Sequence, residues 1–372
     1  MRMLKKLFVA AGAAATVTAM AMGPALADPP KGVTPKETDV VGVGSDTLEF
    51  LMDQFSLDYN HTHTGAKLYS WDALNPVTGL TDNIVTKSGC AAVPRPNGSS
   101  AGISTLIANA KTADGKRFCV DYARSSRPRA STDPAKGPGG IVFVALGTDG
   151  VTWAANSTTN APSNLTTAQL GGIYSCTITN WNQVGGKSGT INAQLPQTSS
   201  GTRKFFLTAI GVSTPGSCVG STAEENEGIN KVLAGPNTIF PYSIGKYIAE
   251  KFHSAKCTNA TCTGNPPCVP TANQNKFGCD THGSMVLKKI NGTVPTAGTG
   301  TSTIINSKFS PSFLRTVYAV VRWANTADNI PAYLDGIFAS ASRGGWICSN
   351  GTAHADLIHY GFLPTPFCGT GS

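Results

Sequence analysis

A run of small hydroxyl residues that leads straight into an apolar helical pattern is the feature that most limits how this chain can fold. The clearest case is Ser200-Gly201-Thr202-Arg203, which is followed by apolar residues on one helix face. A Ser or Thr residue directly before such a pattern is an N-cap signal. The free N–H groups and the dipole of the first turn favour an anion there, and Gly201 allows close approach. Taken alone, the segment is explained more simply by an ordinary capped helix start.

Three similar junctions occur earlier in the chain. Each has polar residues directly after a predicted strand or at a predicted helix start, and they comprise Ser45, Asp46 and Thr47, then Ser99, then Arg124, Ser125 and Ser126. Strands that alternate with helices in this way indicate an α/β fold. On the residues alone, Asp46 is equally well explained as an N-cap and Arg124 as a solvated loop residue.

The first 27 residues have the pattern of a secretory signal peptide. Arg2, Lys5 and Lys6 precede a mostly apolar stretch over 7–22, and Ala25-Leu26-Ala27 is a small-residue cleavage site. The mature chain is therefore predicted to begin at Asp28. We find no lipid-anchor cysteine beside the site, so the protein is predicted to be secreted or associated with a bacterial cell surface.

Length and charge narrow the class of protein further. The chain has 372 residues and a net charge of +8. A mature chain of this size usually divides into two lobes. A mildly basic chain suits anionic ligands, but its basic residues are too dispersed to indicate a nucleic-acid partner.

All ten cysteines lie in the predicted mature chain, and an even number in an exported protein favours disulfides. Neighbours in sequence suggest the pairs Cys90–Cys119, Cys176–Cys218 and Cys348–Cys368. The remaining four, Cys257, Cys262, Cys268 and Cys279, can pair in three ways. A zinc site is the less favoured alternative for that cluster.

Several segments together resemble a known family. Residues 151–156, the stretch 164–186 with its Ile-Tyr-x-x-x-Ile-x-x-Trp pattern, and 200–203 are similar to the phosphate-binding proteins of ABC transporters. These are solute-binding proteins of the periplasmic type. The resemblance covers most of 40–320 and is thin over 72–97 and 253–282.

The resemblance implies a fold and its boundaries. We expect the two-lobe α/β fold of type II periplasmic binding proteins, with two crossover strands as a hinge and the ligand enclosed between the lobes. Residues 28–140 and 284–372 would form lobe 1, residues 141–250 lobe 2, and residues 251–283 a disulfide-rich loop near the second crossover. The crossovers are expected at 140–146 and in the 243–250 region.

The same resemblance implies a ligand site, with two departures. Ser200, Gly201 and Thr202 match the family's anion-binding Ser-Gly-Thr, and Ser99 matches the serine of its Gly-Ser-Ser helix start. The family's proton-accepting acid falls on Ser126, and an arginine falls on Pro196. Arg203 or Arg124 could replace the cation and Asp46 the acceptor. The predicted ligand-binding residues are Ser45, Asp46, Thr47, Ser99, Arg124, Ser125, Ser126, Ser200, Gly201, Thr202 and Arg203.

The predicted function is capture of phosphate or a similar oxyanion for uptake by a monomeric binding protein, and the family implies an ABC permease as partner. We expect no cofactor, no metal and no catalysis. His61 and His63 are more simply solvated loop residues than metal ligands. Two alternatives remain open at this stage. One is the same fold binding another ligand or a cell-surface component without transport, and the other is a secreted phosphoesterase.

Overall fold

The computed structural model describes residues 28–30, 32–76, 78–255 and 274–372. The predicted signal peptide and Cys257, Cys262 and Cys268 lie outside these described residues.

Strands and helices alternate along most of the described chain, as the sequence predicts. The strands are β1 Val40–Gly44, β2 Leu68–Ser70, β3 Asn83–Ile84, β4 Val93–Pro94, β5 Tyr122–Ser125, β6 Ile141–Asn156, β7 Asn164–Leu165, β8 Asn192–Pro196, β9 Gly220–Ala223, β10 Thr238–Ser243, β11 Met285–Leu287, β12 Lys289–Ile290, β13 Thr296–Ala297, β14 Ile304–Ile305 and β15 Leu314–Arg322. The α-helices are α1 Glu49–Thr62, α2 Ser99–Ile107, α3 Thr167–Tyr174, α4 Gly201–Ala209, α5 Ile244–Ile248, α6 Asp335–Phe338, α7 Trp346–Ser349 and α8 Gly351–His359.

One continuous sheet runs through the described molecule. Its strands are hydrogen-bonded in the order β2-β1-β5-β15-β6-β10-β8-β9, and β11 pairs with β6. β1 lies parallel to β2 and β5, whereas β15 is antiparallel to both β5 and β6. The expected mixed α/β fold is therefore confirmed.

The large apolar side chains gather into two main cores. One contains Val142, Val144 and Leu146 from the first part of β6, together with residues of α1, α7 and α8. The other contains Val151 and Trp153 from the later part of β6, together with residues of α3 and α4. Below, the first half and the second half of the protein are the parts built on these two cores.

Two antiparallel strands connect the halves. β6 is a single long strand, and it pairs with the whole of β15, from Leu314 opposite Gly150 to Arg322 opposite Ile141. The crossover expected at 140–146 is the start of β6. The one expected in the 243–250 region stays a prediction, because Ile244 and Ile248 pack in the second core whereas Lys246 lies 3.7 Å from Asp46 of the first half.

The two cores also bear on the lobe boundaries. Ile290, Ile305, Phe309 and Phe313 pack in the second core, although the sequence analysis placed residues 284–372 in lobe 1. Val317 at the middle of β15 is in the first core. We therefore propose that residues 284–313 belong with lobe 2 and that the chain returns to lobe 1 through β15.

No α-helix forms over residues 220–234. Residues Gly220–Ala223 are a strand, and Lys231–Leu233 is a short 3-10 helix. Between them Asn226 has a φ of 58°. This left-handed conformation is one that an asparagine tolerates but a helix does not continue through. The intervening segment is therefore free to reach across toward the first half.

The three disulfides predicted between sequence neighbours are confirmed. The structure joins Cys90 to Cys119, Cys176 to Cys218, and Cys348 to Cys368. Cys279 is also disulfide-bonded, but its pairing within the cluster remains a prediction. In the described ranges, no helix is both long and apolar enough to cross a membrane.

Candidate functional site

The serines of the first half meet at one edge of the sheet. β1 and β5 are parallel neighbours, with Gly44 opposite Arg124, so their carboxyl ends lie side by side. Ser45 follows β1 and donates from Oγ to the Oγ of Ser126, which follows β5, at 3.0 Å. Ser99 at the start of α2 accepts from the Ser126 amide at 3.0 Å. All three serines are fully buried.

The second half contributes the start of α4. Ser200 is the N-cap, and its Oγ accepts from the Arg203 amide at 3.0 Å. A β-carbon on Gly201 would come within 3.0 Å of the hydroxyl oxygens of Ser99 and Ser126, closer than real side chains approach. Glycine is therefore required here for the first turn of α4 to lie against the serines of the first half.

Direct hydrogen bonds join the two halves at this point. The hydroxyl oxygens of Thr47 and Thr202 lie 3.3 Å apart, and both residues are buried. The Ser100 amide donates to the Ser199 carbonyl oxygen at 3.1 Å. The predicted residues Ser45, Thr47, Ser99, Ser126, Ser200, Gly201 and Thr202 thus lie together between the halves, and we call this group the hydroxyl cluster.

A guanidinium from a crossover strand reaches the hydroxyl cluster. Arg315 of β15 is 4% exposed. It donates from Nη2 to Thr202 Oγ1 at 2.8 Å and from Nη1 to the Ser126 carbonyl oxygen at 2.7 Å. Its Nε and Nη2 also donate to Asp149 Oδ2 of β6, at 3.0 and 2.7 Å. A buried cation therefore contacts segments from both halves.

A carboxylate also lies in the hydroxyl cluster. Glu225 Oε1 accepts from the Thr202 amide at 3.1 Å and from Thr47 Oγ1 at 2.9 Å. Burial raises the pKa of the Glu225 carboxyl and the charge of Asp46 raises it further, whereas hydrogen bonds from Thr202 and the charge of Arg315 lower it. The N-terminal turn of α4 thus already holds an anionic group supplied by the protein.

Three of the predicted site residues direct their side chains elsewhere. Arg124 donates to the carbonyl oxygens of Ser45, Gly44 and Trp71 and to Ser70 Oγ, so it supports the loop beneath the cluster. Ser125 Oγ donates to the Arg127 carbonyl oxygen at 2.9 Å. Arg203 Nη1 donates to the Pro196 carbonyl oxygen at 2.8 Å. Arg315 thus reaches the hydroxyl cluster, whereas the side chains of Arg124 and Arg203 bond to groups outside it, and which of them supplies the cation of the site stays a prediction.

Asp46 lies beside the hydroxyl cluster. Among the described residues, we observe no hydrogen bond between its carboxylate and a hydroxyl group of the cluster. Its Oδ1 accepts from Asn226 Nδ2 at 2.9 Å, and its Oδ2 is 3.7 Å from Lys246 Nζ. Lys246 is nearly fully buried, and its ammonium group lies 3.6 Å from the centroid of the Phe50 ring. Asp46 is therefore close enough to influence Glu225 electrostatically, and its expected role as proton acceptor stays a prediction.

Sequence reasoning missed Arg315, Glu225, Asn226 and Asp149. A signal was present for Arg315, since a charged residue inside an otherwise apolar strand needs a buried partner or a function. No local signal identified Glu225, because its position depends on the left-handed turn at Asn226. In the described part of the chain, no group of three or more His, Cys, Asp or Glu side chains is arranged to hold a metal ion.

Comparison with known families is consistent with this geometry. Residues 29–276 match the family model described as a PBP superfamily domain. The chain belongs to this superfamily. None of the curated proteins matches the sequence.

Two solved structures show the same fold. An ABC-type phosphate transport receptor from Vibrio cholerae is 19% identical, with a TM-score of 0.53, and the alignment covers 88% of this chain and 100% of the receptor. A putative phosphate ABC transporter substrate-binding protein with bound phosphate, from Clostridium perfringens, is 15% identical with a TM-score of 0.53. That alignment covers 88% of this chain and 99% of the other. The resemblance to phosphate-binding proteins drawn from the sequence is confirmed.

Proposed function

We propose that this protein is an exported binding protein that captures phosphate or a similar oxyanion in the hydroxyl cluster between its halves. The observation that carries the proposal is the contact of Arg315 with both Ser126 and Thr202. A charge from one crossover strand thereby contacts residues of the first half and of the second half at once. An oxyanion placed among them would favour the closed arrangement of the two halves.

The chemistry of the cluster suits a tetrahedral oxyanion. Serine and threonine hydroxyls can each donate one hydrogen bond, and the first turn of α4 adds backbone N–H groups. Charge-assisted hydrogen bonds of this kind contribute roughly 1.5–3 kcal/mol each. Micromolar affinity needs about 8 kcal/mol, which several such bonds would reach after ordering costs.

The proposed role is to bind the ligand and deliver it, without catalysis. We propose that the protein delivers its ligand to an ABC permease, since the Vibrio cholerae protein of the same fold is an ABC-type phosphate transport receptor. Export would follow from the signal peptide predicted over residues 1–27. Turnover of a chromogenic phosphate ester would contradict this proposal and favour the phosphoesterase alternative.

Calorimetric titration with inorganic phosphate and with sulfate tests the proposal. Thr47→Val and Thr202→Val should each weaken phosphate binding, because each removes one hydroxyl group contributed by one half. Thr352→Val, at an exposed position in α8, is the matched control and should bind like the wild type. Absence of phosphate binding by the wild type would overturn the proposal.

A second candidate is the same fold binding a different ligand without transport. One observation favours it, because the Glu225 carboxylate lies on donors that an oxyanion would need. Titration of the wild type at acid and at alkaline pH separates the two candidates. A protein of the second kind would not bind phosphate at any pH.

A further inference from the structure

Glu225 occupies two donors of the hydroxyl cluster. Its Oε1 accepts from the Thr202 amide and from the Thr47 hydroxyl, one from each half. Its Oε2 is buried and has no hydrogen-bond partner that we observe in the described residues. The side chain is only 2% exposed. A buried carboxylate oxygen without a hydrogen-bond partner is energetically costly to keep ionised. This cost indicates that the Glu225 carboxyl group has a function.

The backbone on both sides of this carboxylate is held in place. The Glu225 amide donates to Gln197 Oε1 at 3.1 Å. The neighbouring Asn226 accepts from the Ser243 amide at 3.0 Å and from the Tyr242 hydroxyl at 2.5 Å. The carboxyl group therefore stays beside the first turn of α4 when a ligand arrives, and it must coexist with the charge of that ligand.

The charged groups around Glu225 come from every element packed against it. Asp46 precedes α1, Glu224 and Glu227 lie on the same segment, Arg315 lies on β15 with Asp149 opposite it on β6, and Lys246 lies on α5 near Asp46. Burial, opposed by a hydrogen bond from Asn230, raises the pKa of Glu227 to about 7. The acids outnumber the bases in this set, which makes a further ionised carboxylate at Glu225 unfavourable once an anion is bound.

We propose that Glu225 sets the affinity and the specificity of the oxyanion site through its own protonation. The ionised carboxylate holds the Thr202 amide and the Thr47 hydroxyl itself and repels an incoming oxyanion. The neutral carboxyl weakens its hold on those donors, and its O–H group can donate to a ligand oxygen. This inference rests on the proposed function.

Two consequences distinguish this role from a simple structural one. Binding takes up one proton from solvent, which neutralises the Glu225 carboxylate, and no covalent bond forms or breaks. When the Glu225 carboxyl is ionised, it also repels a fully deprotonated oxyanion such as sulfate more strongly than an oxyanion that still carries a proton. Neutralising Glu225 should therefore admit sulfate.

Glu225→Gln tests the inference because glutamine keeps the shape and supplies an N–H donor in place of the O–H. Phosphate and sulfate are titrated by calorimetry at about pH 5.5 and about pH 8, because burial and the charge of Asp46 raise the pKa of the Glu225 carboxyl. The variant should bind phosphate at least about tenfold more tightly than the wild type at the higher pH, with the difference shrinking at the lower pH. It should also gain sulfate binding. Comparing both proteins at each pH cancels the titration of phosphate itself.

Proton uptake gives an independent readout. Titrations in two buffers of different ionisation enthalpy should show that the wild type takes up more protons on binding than Glu225→Gln. Glu227→Gln is the matched control, because its carboxyl group lies near the cluster and hydrogen-bonds to Asn230 instead of to donors of the cluster. It should follow the wild type within about threefold.

The outcomes separate this inference from the proposed function. If Glu225→Gln and the wild type bind phosphate equally, the inference fails and the proposed function stands. If the variant binds more weakly at both pH values, Glu225 accepts a proton from the ligand, and the inference again fails alone. If no form of the protein binds phosphate at either pH, both are overturned.

Discussion

Arg315 and Asp149 are register partners on the two antiparallel strands that join the halves of the protein. Their side chains form a buried ion pair, with Nη2 of Arg315 2.7 Å from Oδ2 of Asp149. Asp149 also accepts from Ser243 Oγ and from the Gly245 amide, both at 2.9 Å. The pair thus links β6, β15 and the start of α5, and it holds the guanidinium where it reaches Ser126 and Thr202.

Arg315→Met should destabilise the protein by about 3–5 kcal/mol, because it leaves Asp149 buried without its cation. The hydrogen bonds from Ser243 and Gly245 that remain favour the lower end of that range. The measurement is the free energy of unfolding from urea titration. Lys308→Met, at an exposed position, is the control and should change the free energy by less than about 0.5 kcal/mol. Equal stability of both variants would show that the ion pair does not support the crossover.

Gly201→Ala should reduce phosphate affinity at least about tenfold while the helix still forms, because the added methyl group meets Ser99 and Ser126 across the gap. The added methyl group strains the contact between the halves and not the helix itself. Calorimetry measures the affinity, and circular dichroism checks the helix content. Gly336→Ala in α6, where nothing lies within 4 Å of the added carbon, should leave the affinity unchanged. Unaltered affinity in Gly201→Ala would mean that close approach of the halves is not needed for binding.

The sequence predicts the hydroxyl cluster well because local rules govern helix starts. Ser200 and Ser99 stand at capped or hydroxyl-rich helix starts whose positions follow from the apolar pattern beside them. Parallel pairing of β1 with β5 then brings Ser45 and Ser126 together without further information. Most residues of the hydroxyl cluster can therefore be predicted from short motifs and their order along the chain.

The charged residues of the site are not predicted, because long-range contacts set them. The register between β15 and β6 places Arg315 where it reaches Thr202. That register pairs Arg315 with Asp149, which is 166 residues away in the sequence. The position of the Glu225 carboxyl group depends on the left-handed backbone conformation of Asn226, which the sequence pattern does not reveal. Arg124 shows the converse error, since its proximity in sequence to Ser126 says nothing about which way its side chain points.

Ser200→Ala and Thr202→Val should separate stability from binding. Ser200 caps α4 through the Arg203 amide, so its loss should cost about 1 kcal/mol of unfolding free energy with little change in affinity. Thr202 instead accepts from Arg315 and faces Thr47, so Thr202→Val should mainly weaken phosphate binding. Urea unfolding and calorimetry on both variants check this. A Ser200→Ala protein of normal stability that no longer binds phosphate would place the Ser200 hydroxyl on the ligand.

Asp356→Asn should stabilise the protein at alkaline pH and have little effect at acid pH. Asp356 on α8 faces Asp58 on α1, and burial together with the charge of Asp58 raises the pKa of Asp356 to about 7. Because the folded-state pKa lies above the ordinary value, the protonated carboxyl stabilises the fold at low pH. That contribution is lost as the pH rises from about 4 through about 7.

The neutral amide avoids this loss, and we expect a gain of about 1 kcal/mol at pH 8 after allowance for solvent screening of a partly exposed group. Urea unfolding at pH 4 and pH 8 measures the difference. Asp335→Asn is the control, because Asp335 lies 2.6 Å from the guanidinium of Arg343 and its charge is favourable. That variant should show no gain at pH 8. A pH-independent effect of Asp356→Asn would mean that the two carboxyl groups of α1 and α8 do not interact in the folded protein.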